Sequence, residues 1–396
     1  MSNSYLERLE NAVRRHEQWR VNECLNLAAA ENRSSKKARS FLQTDLGNRY
    51  SNPRLSNFHR GAQFLDEVQE LAEEAARKVF NAQFADVRSI SGHLAAMAVL
   101  MALTKRGDKI LSLSPEDGGY PGTTQRGLGK FLGLEDRFFP YQRQNMNIDV
   151  EETIRLIARE KPRLVVFGAS YILFPQPTKA ISSAAQDAVC VYDGSHVLGL
   201  IAGGEFQDPL REGCSLLMGS THKSFPGPQG GIILSNDERV FEEVARNMVP
   251  GIVDNVHLHR IAALALSLVE MLEFGKAYAT AVVENARTLG KNLERLNVKV
   301  KAAHLGYSSS HQVHLDYDAK KREIFADKLE AANIIIDNGG RLGVAEATRL
   351  GMGTKEMERV AELVSLIVLG KESPNSVKRK VRSLVADFRE PRYVLK

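Results

Sequence analysis

The chain is poor in the features that would make it a secreted miniature domain or a membrane protein. Only three of its 396 residues are cysteine, at Cys24, Cys190 and Cys214. They are odd in number and far apart, which excludes a disulfide framework and supplies no zinc-ligand set, so no metal site is expected. No apolar run approaches the roughly 20 residues that a membrane-spanning helix needs. The opening Met1-Ser2-Asn3-Ser4-Tyr5-Leu6-Glu7-Arg8 has no apolar segment of the kind that marks secretion. The expectation is a cytoplasmic protein with no membrane partner. Internal repeats and low-complexity linkers are also missing. A net charge of +5 raises the question of nucleic acid, but the basic residues are spread along the chain among matching acids, and no nucleic-acid partner is expected. The densest basic run, Lys378-Arg379-Lys380 with Arg382, alternates with Val381, Leu384, Val385 and Phe388. That spacing reads as the wet face of a terminal amphipathic helix.

A hydrophobic content of 43% is ordinary for a soluble enzyme, and the length suits one large domain with a smaller one. From about residue 60 to 236 helical and strand-like patterns alternate, the signature of a mostly parallel sheet covered on both faces. Leu65, Val68, Leu71, Ala72, Ala75, Val79 and Phe80 fall at helical spacing, and 95–103 is helical again. Strands are expected at 87–90, 110–113, 164–167, 188–192, 215–218 and 231–234. A long helical stretch over 258–296, with a break expected near Gly275, leads to a second region. There, strands are expected near 313–315 and 334–336, with helices near 320–332, 354–369 and 377–388. The division expected is an N-terminal arm or dimer-contact segment over 1–55, a large α/β domain over 56–275 and a small α+β domain over 276–396.

Two residues carry the chemistry. Asp193 closes the strand-like 188–192 and is followed by Gly194-Ser195-His196; Lys223 follows the strand-like 215–218 within Gly219-Ser220-Thr221-His222-Lys223. Both project from strand ends into one crevice of an open α/β sheet. A lysine can hold pyridoxal phosphate as an imine, while a carboxylate at the pyridine nitrogen keeps the ring protonated and electron-withdrawing. Neither residue means much alone, and the pairing points to that cofactor. Ser91-Gly92-His93 lies between a strand and a helix, where backbone N–H groups face an anion such as a phosphate; taken alone, Ser91 is a plain helix cap. Asp117-Gly118-Gly119-Tyr120-Pro121-Gly122 forms a loop at the sheet's carboxyl edge, from which Tyr120 can stack on a pyridine ring. Ser170 joins the cofactor-binding candidates. Arg341, in Arg341-Leu342-Gly343, can clamp a substrate carboxylate with two parallel hydrogen bonds.

Together these stretches resemble the serine hydroxymethyltransferase family, over nearly the whole chain. Leu27-Ala28-Ala29-Ala30-Glu31-Asn32 resembles the family's "LIASEN", Asn48-Arg49-Tyr50 its "NKY", and Asp117-Gly118-Gly119 its "DGGH". Asp193 to His196 resembles "DxAH", Thr221-His222-Lys223 "THK", and Arg341 to Arg349 "RxGTxxxTR". The resemblance implies an α/β, fold-type I pyridoxal phosphate-dependent transferase, a large domain with a mostly parallel sheet plus a smaller C-terminal α+β domain. It implies that Lys223 binds the cofactor covalently, Asp193 pairs with the ring nitrogen and His196 approaches the phenolic oxygen. Ser91, Gly92 and His222 lie near the phosphate, and Arg341 holds the substrate carboxylate. It also implies a homodimer whose active sites are shared, with Tyr50 reaching the partner subunit's cofactor.

The departures bear on which reaction is run. Asn52 stands where the family has the glutamate that handles proton transfer, and an amide takes up no proton at neutral pH. His59 and Arg60 occupy a tyrosine pair, Tyr120 replaces the ring-stacking histidine, and Pro226 and Gln229 replace arginines. Folate-dependent exchange is therefore not the expectation. The leading expectation is aldol cleavage or formation of a Cα–Cβ bond in a β-hydroxy amino acid, with Arg60 favouring a substrate that bears an extra anionic or polar group. The alternatives are β-elimination, decarboxylation with oxidative deamination, and a non-catalytic structural dimer.

Overall fold

A computed structural model describes residues 2–50 and 59–395. It divides into two compact units, Asn32–Thr280 with Tyr393–Lys396, and Met1–Glu31 with Ala281–Arg392. The segment expected as an arm, 1–55, is thus split between them. Its first residues join the C-terminal unit because the short strand Leu25–Asn26 pairs in parallel with Ile334–Ile335.

The larger unit is built on a seven-stranded sheet. We label its strands β1 (Phe84–Asp86), β2 (Lys109–Ser112), β3 (Glu135–Phe138), β4 (Leu164–Phe167), β5 (Val189–Asp193), β6 (Leu216–Ser220) and β7 (Gly231–Ser235), in the lateral order β1-β7-β6-β5-β4-β2-β3. Strands β2 to β6 run parallel, and β7 is antiparallel to both β6 and β1. Every residue of β4, β6 and β7 is buried, so both faces of the sheet are covered and these strands read as continuous apolar runs.

Three details depart from expectation. The strand expected at 87–90 lies earlier, at β1. Its ladder ends where the Asp86 carboxylate accepts the backbone N–H and the guanidinium of Arg88, drawing the chain out of the sheet. The edge strand β3 is absent from the strands expected; its sequence Glu-Asp-Arg-Phe is charged, as edge strands are when they resist pairing with other chains. The break expected near Gly275 is absent, and the helix Leu258–Arg295 runs through it. The close approach there constrains Gly203 and not Gly275: a Cβ on Gly203 would stand 2.4 Å from the Gly275 carbonyl oxygen.

The smaller unit carries two two-stranded sheets, the second pairing Gln312–His314 with Arg341–Gly343 in antiparallel fashion. Helices Ala319–Ala331, Thr354–Val368 and Pro374–Val385 complete its C-terminal part. In the last of these Val377, Val381 and Val385 are buried, which leaves the basic run 378–380 on the wet side. The helix Ser2–His16 exposes Tyr5, Leu6, Leu9 and Val13, an apolar stripe at helical spacing. Among the described residues no helix is long and apolar enough to cross a membrane.

The two packed glycines make opposite predictions. A Cβ on Gly203 would meet Ala279 Cβ and the Gly275 carbonyl at 2.4 Å, so Gly203→Ala is expected to destabilise the protein by about 1–3 kcal/mol. A Cβ on Gly275 meets nothing nearer than the flexible tip of Met271 at 3.1 Å, with backbone atoms of Ala202 and Gly203 at an ordinary 3.7 Å, so Gly275→Ala is expected to be neutral or to stabilise by up to about 1 kcal/mol through helix propensity. Urea unfolding of both variants checks the pair.

Candidate active site

The parallel register of β5 and β6 sets Asp193 opposite Met218. Past that point the two chains tie together: the Gly194 N–H donates to the Met218 carbonyl at 2.7 Å, and the Ser220 N–H donates to Ser195 Oγ at 3.0 Å. The Asp193 carboxylate is fixed in turn by the Ser195 N–H, which donates to its Oδ1 at 3.0 Å. Where β4 leaves the sheet, Gly168 adopts φ +95°, and a Cβ there would lie 2.0 Å from the Asp193 carbonyl oxygen. Only glycine allows that approach. Lys223 sits in the loop after β6. The loop is closed by the Thr221 N–H donating to the Gly230 carbonyl, by Thr221 Oγ1 donating to Pro228 at 2.7 Å, and by the Gly227 N–H donating back to Thr221 at 2.9 Å.

These strand ends open into one polar cleft, lined by Gly92, His93, Tyr120, Ser170, Asp193, His196 and Lys223 among others. Ala169, Ser195 and Ser220 complete the lining and are not marked out by the sequence. Ser195 was within reach, since it lies inside the segment joining Asp193 to His196. Ser220 had no signal beyond its place at a strand end.

The helix Gly92–Leu103 points its first turn at the cleft, and Ser91 Oγ caps it by accepting the Leu94 N–H at 3.1 Å. Gly92 is required there, because a Cβ would stand 2.2 Å from Ser220 Oγ and 3.0 Å from the Ser220 backbone nitrogen. The Tyr120 loop is held by the N–H groups of Ser170 and Tyr171, which both donate to the Gly118 carbonyl. Burial, and after it the charge of Asp193, push the Tyr120 phenol above its ordinary value.

Other candidates lie off this lining. Ser91 and His222 flank the cleft. The buried Nδ1 of His222 has no hydrogen-bond partner, and burial, then the Lys223 charge, push its imidazole down to about 4. Tyr50 donates its hydroxyl to the Asp254 carboxylate and packs against the His59 ring at 4.6 Å between centroids. Arg60 is exposed, and Asn52 lies outside the described residues. Arg341 belongs to the smaller unit, where its Nε donates to Asp337 Oδ2 at 2.8 Å. Among the described residues no group of three or more His, Cys, Asp or Glu side chains forms a metal set.

The donor set suits pyridoxal phosphate. It offers a helix N-terminus whose first glycine admits nothing larger, a buried imidazole nitrogen without a partner beside it, a carboxylate for a protonated ring nitrogen, and an amine. Fold and cleft together define a fold-type I pyridoxal phosphate-dependent enzyme. The comparisons make this specific. The family model described as serine hydroxymethyltransferase matches residues 6–364, and the chain belongs to that family. It is 39% identical to the serine hydroxymethyltransferase of Methanopyrus kandleri over 96% of this chain and 93% of that one. With the Korarchaeum cryptofilum protein of the same description it shares 40% identity over 98% and 96%. Among solved structures, the L-threonine transaldolase of Pseudomonas fluorescens in its internal aldimine state superposes with a TM-score of 0.92 at 27% identity, covering 99% of this chain and 94% of the other.

Buried histidines make the fold sensitive to acid. His222 is pushed down to about 4, and the fully buried His314 well below its ordinary value, each chiefly by burial. Unfolded chains take up these protons near pH 6.5, whereas the folded protein does not, so stability present above that pH is lost as pH falls toward 4. The slope is at most about 1.4 kcal/mol per pH unit for each histidine. Urea unfolding of the cofactor-free protein is expected to give a lower free energy at pH 5 than at pH 7, with a smaller drop in His222→Asn. A flat profile contradicts this assignment.

Proposed function

We propose that this protein makes or breaks the Cα–Cβ bond of a β-hydroxy amino acid, as an aldolase, transaldolase or hydroxymethyltransferase working without folate. The observation that carries the reading is the meeting of Lys223 and Asp193 on the ends of adjacent parallel strands in one polar cleft. The similarity to an L-threonine transaldolase supports it.

In this reading Lys223 is the attachment point for the coenzyme aldehyde, and Asp193 holds a proton at the pyridine nitrogen. Bound there, pyridoxal phosphate supplies an electron sink for charge released at Cα. His196 would donate toward the ring's phenolic oxygen, and the Tyr120 ring would cover the pyridine face. Ser91, Gly92 and His222 receive the phosphate, with His93 and Ser170 at the margins of the cofactor site. Arg341 fixes the substrate carboxylate and so orients the bond to be broken. Aldol cleavage also needs an acceptor for the β-hydroxyl proton. Asn52 cannot act as one, which leaves that role to another titratable group of the cleft. Arg60 favours a substrate with an added anionic or polar group.

The same reading includes a homodimer in which Tyr50 serves the partner's site. Supporting it, an apolar groove in the larger unit is lined by Phe41, Leu46, Val68, Leu71, Leu266 and Leu272, while the Ser2–His16 helix leaves its own apolar stripe exposed. Surfaces of this kind mark interfaces. Light scattering is expected to give a dimer, and Leu71→Glu with Leu272→Glu a smaller species.

Purified protein given the coenzyme is expected to absorb in the visible, and Lys223→Ala to lose that band. With L-threonine and L-serine, glycine and an aldehyde are the expected products. Pyruvate with ammonia, or carbon dioxide, would instead establish elimination or oxidative decarboxylation. Arg341→Lys is expected to lower kcat/KM about tenfold to hundredfold, because a paired, charge-assisted clamp is lost. Arg60→Tyr is expected to shift the ratio of turnover between acidic and neutral amino acids, and an unchanged ratio removes Arg60 from substrate selection.

A further inference from the structure

Two residues of the cleft are joined to each other. Tyr120 Oη and His93 Nδ1 lie 2.9 Å apart, with the rings edge-on at 84° and their centroids 6.1 Å apart. Both line the cleft with Lys223 and Asp193. The bond fixes the one part of Tyr120 that its loop leaves loose. Up to Cα the loop is set by backbone contacts: Ser114 Oγ accepts the Asp117 N–H, the Gly118 carbonyl takes the Ser170 and Tyr171 N–H groups, and a Cβ on Gly119 would stand 1.9 Å from the Leu113 carbonyl oxygen. Beyond Cα the ring is folded back over its own turn. A Cβ on Gly122 would stand 2.4–2.5 Å from the hydroxyl end of the ring, so the pose exists only because residue 122 is glycine. Apart from that hollow, the bond to His93 is what locates the hydroxyl end.

His93 occupies the first turn of the helix Gly92–Leu103, the turn that presents its N–H groups to the cleft. The bond therefore couples two elements that come from different strand ends, the anion-facing helix and the ring-covering loop. We propose that His93 is a positioning residue, which acts through the Tyr120 hydroxyl to hold the phenol ring over the coenzyme and to lock the loop Asp117–Gly122 to the phosphate-facing helix. This rests on the reading above in which Tyr120 covers the pyridine face. A rival role for His93 is a direct contact with the phosphate, which needs no tyrosine hydroxyl, and the two roles differ in how the substitutions combine.

The test is a double-mutant cycle on the full-length protein, with the coenzyme dissociation constant and the visible circular dichroism of the bound coenzyme as readouts. His93→Ala and Tyr120→Phe are each expected to weaken binding about threefold to tenfold, the value of one hydrogen bond, and to reduce the dichroism alike. The double variant is expected to be no weaker than either single one, because both remove the same bond. His93→Asn, which keeps a hydrogen-bonding atom near the Nδ1 position, is expected to bind within about twofold of the wild type on the same scale of bond energies. A His93→Ala variant with unchanged binding and dichroism overturns the inference, and so do losses that add in the double variant. Tyr120→Ala separates the two levels of the reading. If it binds the coenzyme as the wild type does, the ring-covering role itself fails; if it is weakened while His93→Ala is normal, only the role of His93 fails.

Discussion

The lateral register of adjacent parallel strands is the constraint on which the site depends. Because β4, β5 and β6 run in the same direction, all three end at one edge of the sheet, and the loops that leave them collect in one cleft. A shift of one residue in a strand turns every side chain to the opposite face. The pairing of Asp193 with Met218 therefore decides whether the carboxylate meets the lysine loop at all. The strands are buried on both faces, so their register is held by the whole core and not by the cleft residues.

Around that edge the chain uses glycine to bring backbones closer than side chains permit. Gly168 lets the exit of β4 touch Asp193, Gly92 lets the anion-facing helix meet Ser220, and Gly122 makes room for the Tyr120 ring. The fixed donors and the carboxylate are then held by backbone and not by flexible side chains, which is what pre-organisation of a charged cofactor requires. The hydrogen bond from the Ser220 N–H to Ser195 Oγ stitches the two central strands together just where the cleft begins. The His93–Tyr120 bond extends this stitching to the loop after β2.

Much of this architecture is legible in the chain. The buried strands β2, β4, β5, β6 and β7 announce themselves as short apolar runs bounded by turn residues, and Asp193 and Lys223 stand out because one directly follows such a run and the other lies in the short loop after one. Elements without that signal read differently in sequence and in structure. The strand β3 is charged because it lies at an edge. Strand β1 precedes its expected position because Val87 and Ile90 look like strand residues while the Asp86–Arg88 ion pair ends the ladder before them. Gly275 resembles a helix break, yet the helix continues through it, since a single glycine costs a helix interior only about 1 kcal/mol and the close approach at that point constrains Gly203 instead. The apolar stripe of Tyr5, Leu6, Leu9 and Val13 is present in the sequence, but its polar surroundings give no partner for it.

By itself the sequence determined the alternation of strands and helices, the family, and the pair of residues proposed to hold the coenzyme, because each rests on local pattern or on side-chain chemistry at a fixed spacing. The tertiary structure alone decided which residues share the cleft. Tyr120 and His93 lie 27 positions apart, and nothing in either segment specifies the other. Their contact exists only because the strand preceding each leads to the same edge of one sheet.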